Sequence, residues 1–303
     1  MASTISKACL TILFVIALIS VTPSVSAKDV QVGLYMLNLG KFDIATGAFT
    51  ADFYLSMKCD GNCSADQFEF SNGRATSIEK VIDKPGEKFY RIQANLASPI
   101  DLRKFPFDSQ VMEVQIEDKT KKIDELRYVP ILKESGIDPS ISFPGWELVG
   151  WSATVKDHAY EVYDETYSRF NYKITISRIY MSSFLKTFLP VLFIMAVVLL
   201  SFIIDPDKVT TRLTMAGSSL VSAVMFHVSI SNQIPPVGYL TFADKFMAVT
   251  YLILMFRLTI DILMLEFQER KQPQIVEKIH HYTEFPAMIV GPILYIVLFV
   301  FFL

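Results

Sequence analysis

The sequence predicts an α+β membrane protein, with an N-terminal extracellular β-sandwich (Ig-like) followed by a four-helix transmembrane bundle. Two patterns predict this fold. Residues 28–178 contain short runs of alternating polar and apolar residues between glycines and prolines, whereas residues 179–303 contain four long apolar runs. A mean hydropathy of +0.37 and an apolar fraction of 51% suit a chain that is partly embedded in a membrane.

The first 27 residues have the features of a secretory signal peptide. Lys7 supplies a basic start, residues 10–19 form a short apolar run, and residues 25–27 provide a cleavage site. A further membrane helix is the alternative, but the run is shorter than the ~20 residues that a span needs. We therefore expect that the following domain is exported.

The exported part is predicted to be one sandwich domain, residues 28–178. Alternation is clear at residues 30–36, 49–57, 111–116 and 172–176, and turn residues separate these runs. Many short strands at such spacing favour a sandwich or a barrel.

The membrane part is predicted to span the bilayer at about residues 181–204, 212–231, 242–266 and 284–303. The backbone has no water to bond in lipid, so these spans must be helices. Lysine and arginine are absent from residues 231–243 but present between residues 269 and 281. The positive-inside rule then predicts a multi-pass protein of the plasma (inner) membrane, with its N-terminal domain extracellular or periplasmic.

Composition excludes several functions. The net charge is −3 without clustered lysine or arginine, so no nucleic-acid partner is expected. An enzyme is not expected, because the chain lacks a Gly-x-Ser-x-Gly motif and a metal-spaced histidine cluster. Cys59 and Cys63 are a candidate disulfide, since two thiols without a nearby histidine do not form a zinc site. No metal or cofactor is predicted.

The second span carries a polar stripe, which is hydroxyl-bearing at its cytoplasmic end, apolar in the middle and polar again at its outer end. Such a face is costly in lipid unless it meets water or other helices. A ring of identical helices would enclose a water-filled pore with this stripe as its wall; the alternative is that the hydroxyls only hold helices together. The stripe consists of Thr214, Ser218, Val221, Met225, Val228 and Asn232.

Three stretches resemble the pentameric ligand-gated ion channel (Cys-loop receptor) superfamily, in particular its prokaryotic branch. Residues 98–110, SPIDLRKFPFDSQ, resemble the signature loop of the family. Residues 176–178 run into a span with a proline at Pro190, and residues 232–235 resemble the outer end of the pore helix. The resemblance implies a homopentameric ion channel in membrane lipid that conducts monovalent ions and responds to a small-molecule or proton agonist.

The resemblance also implies a gating interface where the sandwich meets the membrane. A charge near the membrane edge needs a partner, so Arg178 is expected to pair with acidic residues of neighbouring loops. The implied interface residues are Asp43, Phe105, Pro106, Phe107, Asp108, Arg178, Pro235 and Tyr239.

The chain departs from animal members of the family. Ser98 and Met112 stand where those receptors have the cysteines of the signature loop, and no Trp-x-Pro occurs between residues 59 and 89. The sequence therefore does not identify the agonist. Aromatic rings can hold cations, and histidines such as His158 and His227 can respond to protons. The ligand candidates are Tyr160, Tyr163, Tyr167 and Trp146.

Ion selectivity is predicted to favour cations. Asp205 and Asp207 precede the second span, and rings of carboxylates favour cations. Arg212 would oppose this only if it faced the pore. An anion-selective channel of the same family, and a non-conducting membrane sensor that uses the sandwich as a binding module, are the alternatives.

Overall fold

The computed structural model describes residues 27–40, 42–61 and 66–302, apart from the side chains of residues 284 and 285. The signal peptide predicted for residues 1–27 lies outside the described residues except for Ala27. Cys59 is disulfide-bonded. Its predicted partner, Cys63, lies outside the described residues, so the pairing stays a prediction.

The N-terminal region is built of strands joined by turns and longer loops. A short 3-10 helix covers Leu132–Glu134. The strands are β1 (Lys28–Leu39), β2 (Ala48–Cys59), β3 (Phe68–Phe70), β4 (Gly73–Lys84), β5 (Glu87–Ala97), β6 (Ser109–Asp118), β7 (Leu126–Pro130), β8 (Gly136–Ile137), β9 (Trp146–Tyr160) and β10 (Glu165–Arg178).

The strands form two sheets that face each other, as predicted. Over the described residues, one sheet has the order β4-β5-β2-β1-β7, with β8 also paired to β1, and the other has the order β3-β6-β10-β9. Alternate side chains of β1, β2, β5, β6 and β10 point between the sheets and form the core. Leu34, Phe53 and Phe170 in this core are fully buried.

The runs predicted as strands lie within β1, β2, β6 and β10, but the alternation predicts none of β4, β5 and β9. For β4 and β9 the reason is that they lie at sheet edges, whereas β5 is an interior strand whose side chains do alternate between buried and exposed. Most side chains of β4 and β9 are exposed on both faces, so these two strands show little apolar alternation.

Four helices follow: α1 (Tyr180–Leu200), α2 (Val209–Ser231), α3 (Phe242–Glu269) and α4 (Pro273–Phe302). Each is long and apolar enough to cross a membrane. α4 begins at Pro273, before the apolar run predicted as the fourth span near residue 284, and residues 270–272 connect α3 to α4. Proline favours the first turn of a helix, and an apolar-run criterion cannot detect a polar helical extension.

Candidate functional site

Five of the six stripe residues lie on an exposed face of α2, and Asn232 is exposed directly after its last residue. The exposed fractions of Val221, Met225 and Val228 are 64%, 69% and 55%. On the opposite face, Ala216 and Ala223 are fully buried against the rest of the bundle. The helix thus separates a packed face from a free face that carries the stripe.

Hydroxyl groups of this free face donate hydrogen bonds to backbone carbonyls of the same helix. Thr214 Oγ1 donates to the carbonyl of Thr210 at 2.9 Å, and Ser222 Oγ donates to that of Ser218 at 2.8 Å. Such bonds satisfy the hydroxyl proton within the helix. The oxygen lone pairs remain available to accept from water or to coordinate a cation.

Charged side chains are buried at the cytoplasmic end of the bundle. Asp261 Oδ1 lies 2.9 Å from Arg257 Nη2 and 3.7 Å from Arg212 Nε, and all three residues are at most 2% exposed. The Arg257 guanidinium lies over the ring of Phe202 at 3.8 Å. We call Phe202, Arg212, Arg257 and Asp261 the arginine cluster. It holds Arg212 on the packed face of α2, away from the stripe.

The arginine cluster is absent from the sites predicted from the sequence, although the sequence contains a signal for it. Arg257 and Asp261 are charged residues inside an apolar span, where charges are rare and are usually paired. They are also four residues apart, so they lie on the same side of a helix.

At the boundary of the two regions, Arg178 contacts the signature loop. Arg178 Nε lies 2.7 Å from Asp108 Oδ1, and the Asp108 side chain is only 1% exposed. The guanidinium also lies between two rings, 4.9 Å from the centroid of Phe105 and 4.4 Å from that of Trp146. Asp43 accepts hydrogen bonds within its own turn, from Ala45 N and Thr46 Oγ1.

Trp146 is misplaced among the ligand candidates. In the β9–β10 hairpin it pairs with Arg178, whereas Tyr160 pairs with Glu165 at the other end. At about 3.3 Å per residue, the 15-residue strand β9 separates the two ends by roughly 45 Å. Trp146 therefore belongs with the boundary residues.

The signature loop bonds to the start of α3 through its main chain. The amides of Phe242 and Ala243 donate to the carbonyls of Arg103 and Phe105, at 2.8 and 3.0 Å. These are first-turn amides, which have no acceptor inside a helix. The Leu102 amide donates to Tyr239 Oη at 2.9 Å. Pro235 is half-buried in the same α2–α3 loop.

Phe107 joins the loop to the helix bundle. Its ring stacks on Tyr180 at 4.5 Å and on Phe188 of α1 at 5.7 Å. It also meets Phe242 of α3 at 5.9 Å and Phe299 of α4 at 6.3 Å. The neighbouring Pro106 is buried. The loop therefore touches three of the four helices.

A polar pocket of about 270 Å³ lies at the far end of the sandwich, beside the β9–β10 turn. Lys119 lies at its rim. Burial and the Glu117 carboxylate raise the pKa of Tyr160, which donates to Glu117 at 2.9 Å. The Lys122 ammonium and the Tyr167 hydroxyl lower the pKa of Glu165, so it stays ionised. The aromatic and acidic lining consists of Tyr160, Tyr163, Tyr167, Glu69, Glu117, Asp118 and Glu165.

Two histidines lie beside carboxylates. His158 Nδ1 is 3.0 Å from Glu117 Oε1 at this pocket. In the outer half of the bundle, His227 of α2 lies 3.1 Å from Asp244 and 2.9 Å from Tyr251 Oη, both on α3. The sequence analysis did not identify these partners, because they are distant in the chain.

These features define the class of protein. It is a multi-pass membrane protein in which an extracellular sandwich contacts a bundle of four helices through buried side chains. Residues 187–283 match the family model of the neurotransmitter-gated ion-channel transmembrane region. A proton-gated ion channel of Gloeobacter violaceus is 25% identical over 162 residues, which are 54% of this chain and 45% of that protein. Ligand-gated ion channel 50 of Caenorhabditis elegans is 26% identical over 163 residues, or 52% of this chain and 32% of that protein.

Over its transmembrane region the chain is therefore similar to ligand-gated ion channels. Its matched part spans less than half the length of the two curated relatives.

Proposed function

We propose that this chain is a subunit of a homopentameric ligand-gated channel for monovalent ions, in which α2 lines the pore. Residues 28–178 would bind the agonist and residues 179–303 would conduct. The observation that supports this is the free face of α2, where Thr214 and Ser218 offer oxygens and Val221, Met225 and Val228 offer apolar rings. A non-conducting sensor has no need of this face.

Cysteine accessibility tests the pore assignment. A water-soluble thiol reagent is expected to reach cysteines placed along the stripe, from residue 214 to residue 232, and to block the current. Cysteines at the buried positions Ala216 and Ala223 are expected to stay protected. Cysteine at Ser222, exposed but off the stripe, is the matched control. Cysteine modification that does not repeat with helical periodicity would contradict the assignment of the stripe to the pore wall.

We propose cation selectivity. Asp205 and Asp207 are exposed just before α2, whereas Arg212 is fully buried in the arginine cluster and adds no positive charge to the pore wall. Reversal potentials are expected to follow the sodium gradient, and Asp207→Asn is expected to reduce the preference. Glu266→Gln, which neutralises an exposed acid of α3, is the control. Potentials that follow chloride would favour the anion-selective alternative.

The agonist that best suits the pocket is a small organic cation. Its carboxylates attract a cation, and its tyrosine rings offer π faces. Tyr163 is 72% exposed at the rim, so its removal should not affect folding. We expect Tyr163→Ala to raise the half-maximal concentration of an activating amine about tenfold, since a cation–π contact contributes ~0.5–2 kcal/mol.

Val162→Ala is the matched control, because Val162 is 90% exposed in the same turn and does not line the pocket. Equal effects of the two variants would argue against an amine site. Activation by pH steps, unchanged by Tyr163→Ala, would favour protons as the agonist. The contacts of His158 with Glu117 and of His227 with Asp244 support that second candidate.

A further inference from the structure

Lys186 is an exposed cation within the first membrane helix. It is the one charged residue of α1, and it lies six residues, or about 9 Å, after Tyr180 at the outer end of the helix. Among the residues that the structure describes, its ammonium group has no hydrogen-bond or ion-pair partner. Because an ammonium group in a membrane span is costly without a partner, we expect that its partner comes from outside this chain.

The lysine lies on the side of α1 that borders α2. Val197 is eleven residues after Lys186, which is about three helical turns, so the two side chains leave α1 on the same side. Val197 lines a groove between α1 and α2, together with Ser218 and Ser222 of the free face. One edge of the free face is therefore bordered by α1 and carries a positive charge in its outer half.

The other edge of the free face is bordered by α3 and carries a carboxylate. His227 lies on a different side of α2 from Ser222, because five residues rotate a helix by about 140°. It contacts Asp244, the third residue of α3, at 3.1 Å. The Asp244 side chain is 23% exposed. Among the carboxylates that the structure describes in residues 179–302, Asp244 alone lies in the outer half of the helix bundle.

The Asp244 carboxylate can accept a further hydrogen bond. It accepts two from Thr241 and one from His227. An ionised carboxylate has about four acceptor positions. One position therefore remains for a donor that approaches from the exposed side.

We propose that Lys186 of each subunit pairs with Asp244 of the neighbouring subunit. This pairing rests on the proposed function, because α2 faces the pore in the proposed ring, and the α1 edge of one copy then meets the α3 edge of the next. The two charges are opposite, and both lie within about 10 Å of the outer ends of their helices. A lysine stem can extend toward that end and bring its ammonium group to the depth of the carboxylate.

A phosphate of an outer-leaflet lipid suits this lysine less well. Met195 is nine residues after Lys186, which is two and a half helical turns, so it faces the opposite side of α1. That opposite side is the one that borders α3 and α4, through the cavity that Met195 lines. Lys186 instead borders the proposed pore helix. Its pairing with the next copy would fix how adjacent subunits are rotated beside the pore wall.

Thermal dissociation of the full-chain protein in detergent, followed by native mass spectrometry, tests the pair. Lys186→Met is expected to lower the temperature of half-dissociation of the ring by about 5 °C, because every interface loses one ion pair. Lys186→Arg keeps the charge and is expected to restore most of the wild-type value. Lys208→Met, which removes an exposed lysine beside Asp205 of the same chain, is the matched control and should leave the temperature unchanged.

Unchanged dissociation in Lys186→Met, or an equal decrease in Lys208→Met, would overturn the proposal. The same spectra report bound lipid. Loss of anionic lipid from Lys186→Met, with a ring as stable as that of wild type, would assign the lysine to a lipid phosphate and would also overturn it.

Cross-linking identifies which chain supplies the carboxylate. Lys186→Cys and Asp244→Cys in one chain, treated with a short bifunctional thiol reagent, are expected to give a ladder of covalent oligomers on a denaturing gel. Leu185→Cys with Asp244→Cys is the matched control, because Leu185 is 44% exposed at the same depth but points about 100° away around the helix. Cross-links within single chains, or an equal ladder in the control, would contradict the pairing.

The two measurements separate this pair from the proposed function. A wild-type protein that forms no ring in detergent would contradict both the proposed assembly and the pair. A ring that forms in wild type but gives no ladder would overturn the pair alone and leave the proposed channel in place.

Discussion

Replacement of Arg178 by alanine is expected to abolish the agonist response and to lower the melting temperature of the detergent-solubilised protein by about 10 °C. The physical reason is the buried carboxylate of Asp108, which is 1% exposed and would lose its cation. Breaking a buried pair costs about 3–5 kcal/mol, and each kcal/mol shifts Tm by a few degrees in a chain of this size. The guanidinium contacts with Phe105 and Trp146 are lost as well.

Two further variants separate stability from coupling. Arg178→Ala with Asp108→Asn removes both charges, so we expect most of the thermal stability to return while the response stays absent. Arg91→Ala breaks the exposed pair with Asp52 in the sandwich and is expected to change Tm little, because exposed pairs contribute about 0–1 kcal/mol. A normal agonist response in Arg178→Ala would contradict a coupling role for this residue.

Replacement of Val221 by serine is expected to yield channels that conduct without agonist. Val221 lies at the middle of the stripe, where in the proposed pentamer a ring of apolar side chains would close the pore by excluding water. Each lost methyl contributes roughly 0.8 kcal/mol to that exclusion. One methyl in each of the five copies of the proposed pentamer then gives about 4 kcal/mol, or about a thousandfold in the equilibrium between closed and open states. Single-channel recording without agonist measures the effect.

Val224→Ser is the matched control, because Val224 is 45% exposed on α2 but lies off the stripe. Its channels are expected to remain closed at rest. Similar resting currents in the two variants would show that loss of apolar volume anywhere on α2 opens the channel, and the gate would then not lie at Val221.

Much of this architecture is readable from residue patterns. Long apolar runs have few structural solutions in a membrane, which is why the four helices are predicted, and alternation in β1, β2, β6 and β10 predicts the sandwich. The start of α4 was missed because its first turns are polar. The edge strands β4 and β9 were missed because their exposed faces need no apolar residues.

The candidate sites depend more on contacts between distant residues. The resemblance identified Arg178 and Asp108, which are 70 positions apart and pair in the structure. It also suggested Trp146 as a ligand residue, which the register of the β9–β10 hairpin corrects. No local pattern relates Glu117 to Tyr160, or His227 to Asp244, because cross-strand and interhelical neighbours are set by the whole fold.

The main-chain hydrogen bonds between the signature loop and the first turn of α3 affect whether the sandwich can be replaced by that of a related protein. Carbonyl oxygens of Arg103 and Phe105 accept from these amides whatever side chains the loop carries. In a chimaera that carries the sandwich of a distant relative, the loop carbonyls would therefore accept the same hydrogen bonds, provided that the loop backbone follows the same path. A helix bundle expressed by itself would instead have to find new acceptors for both groups.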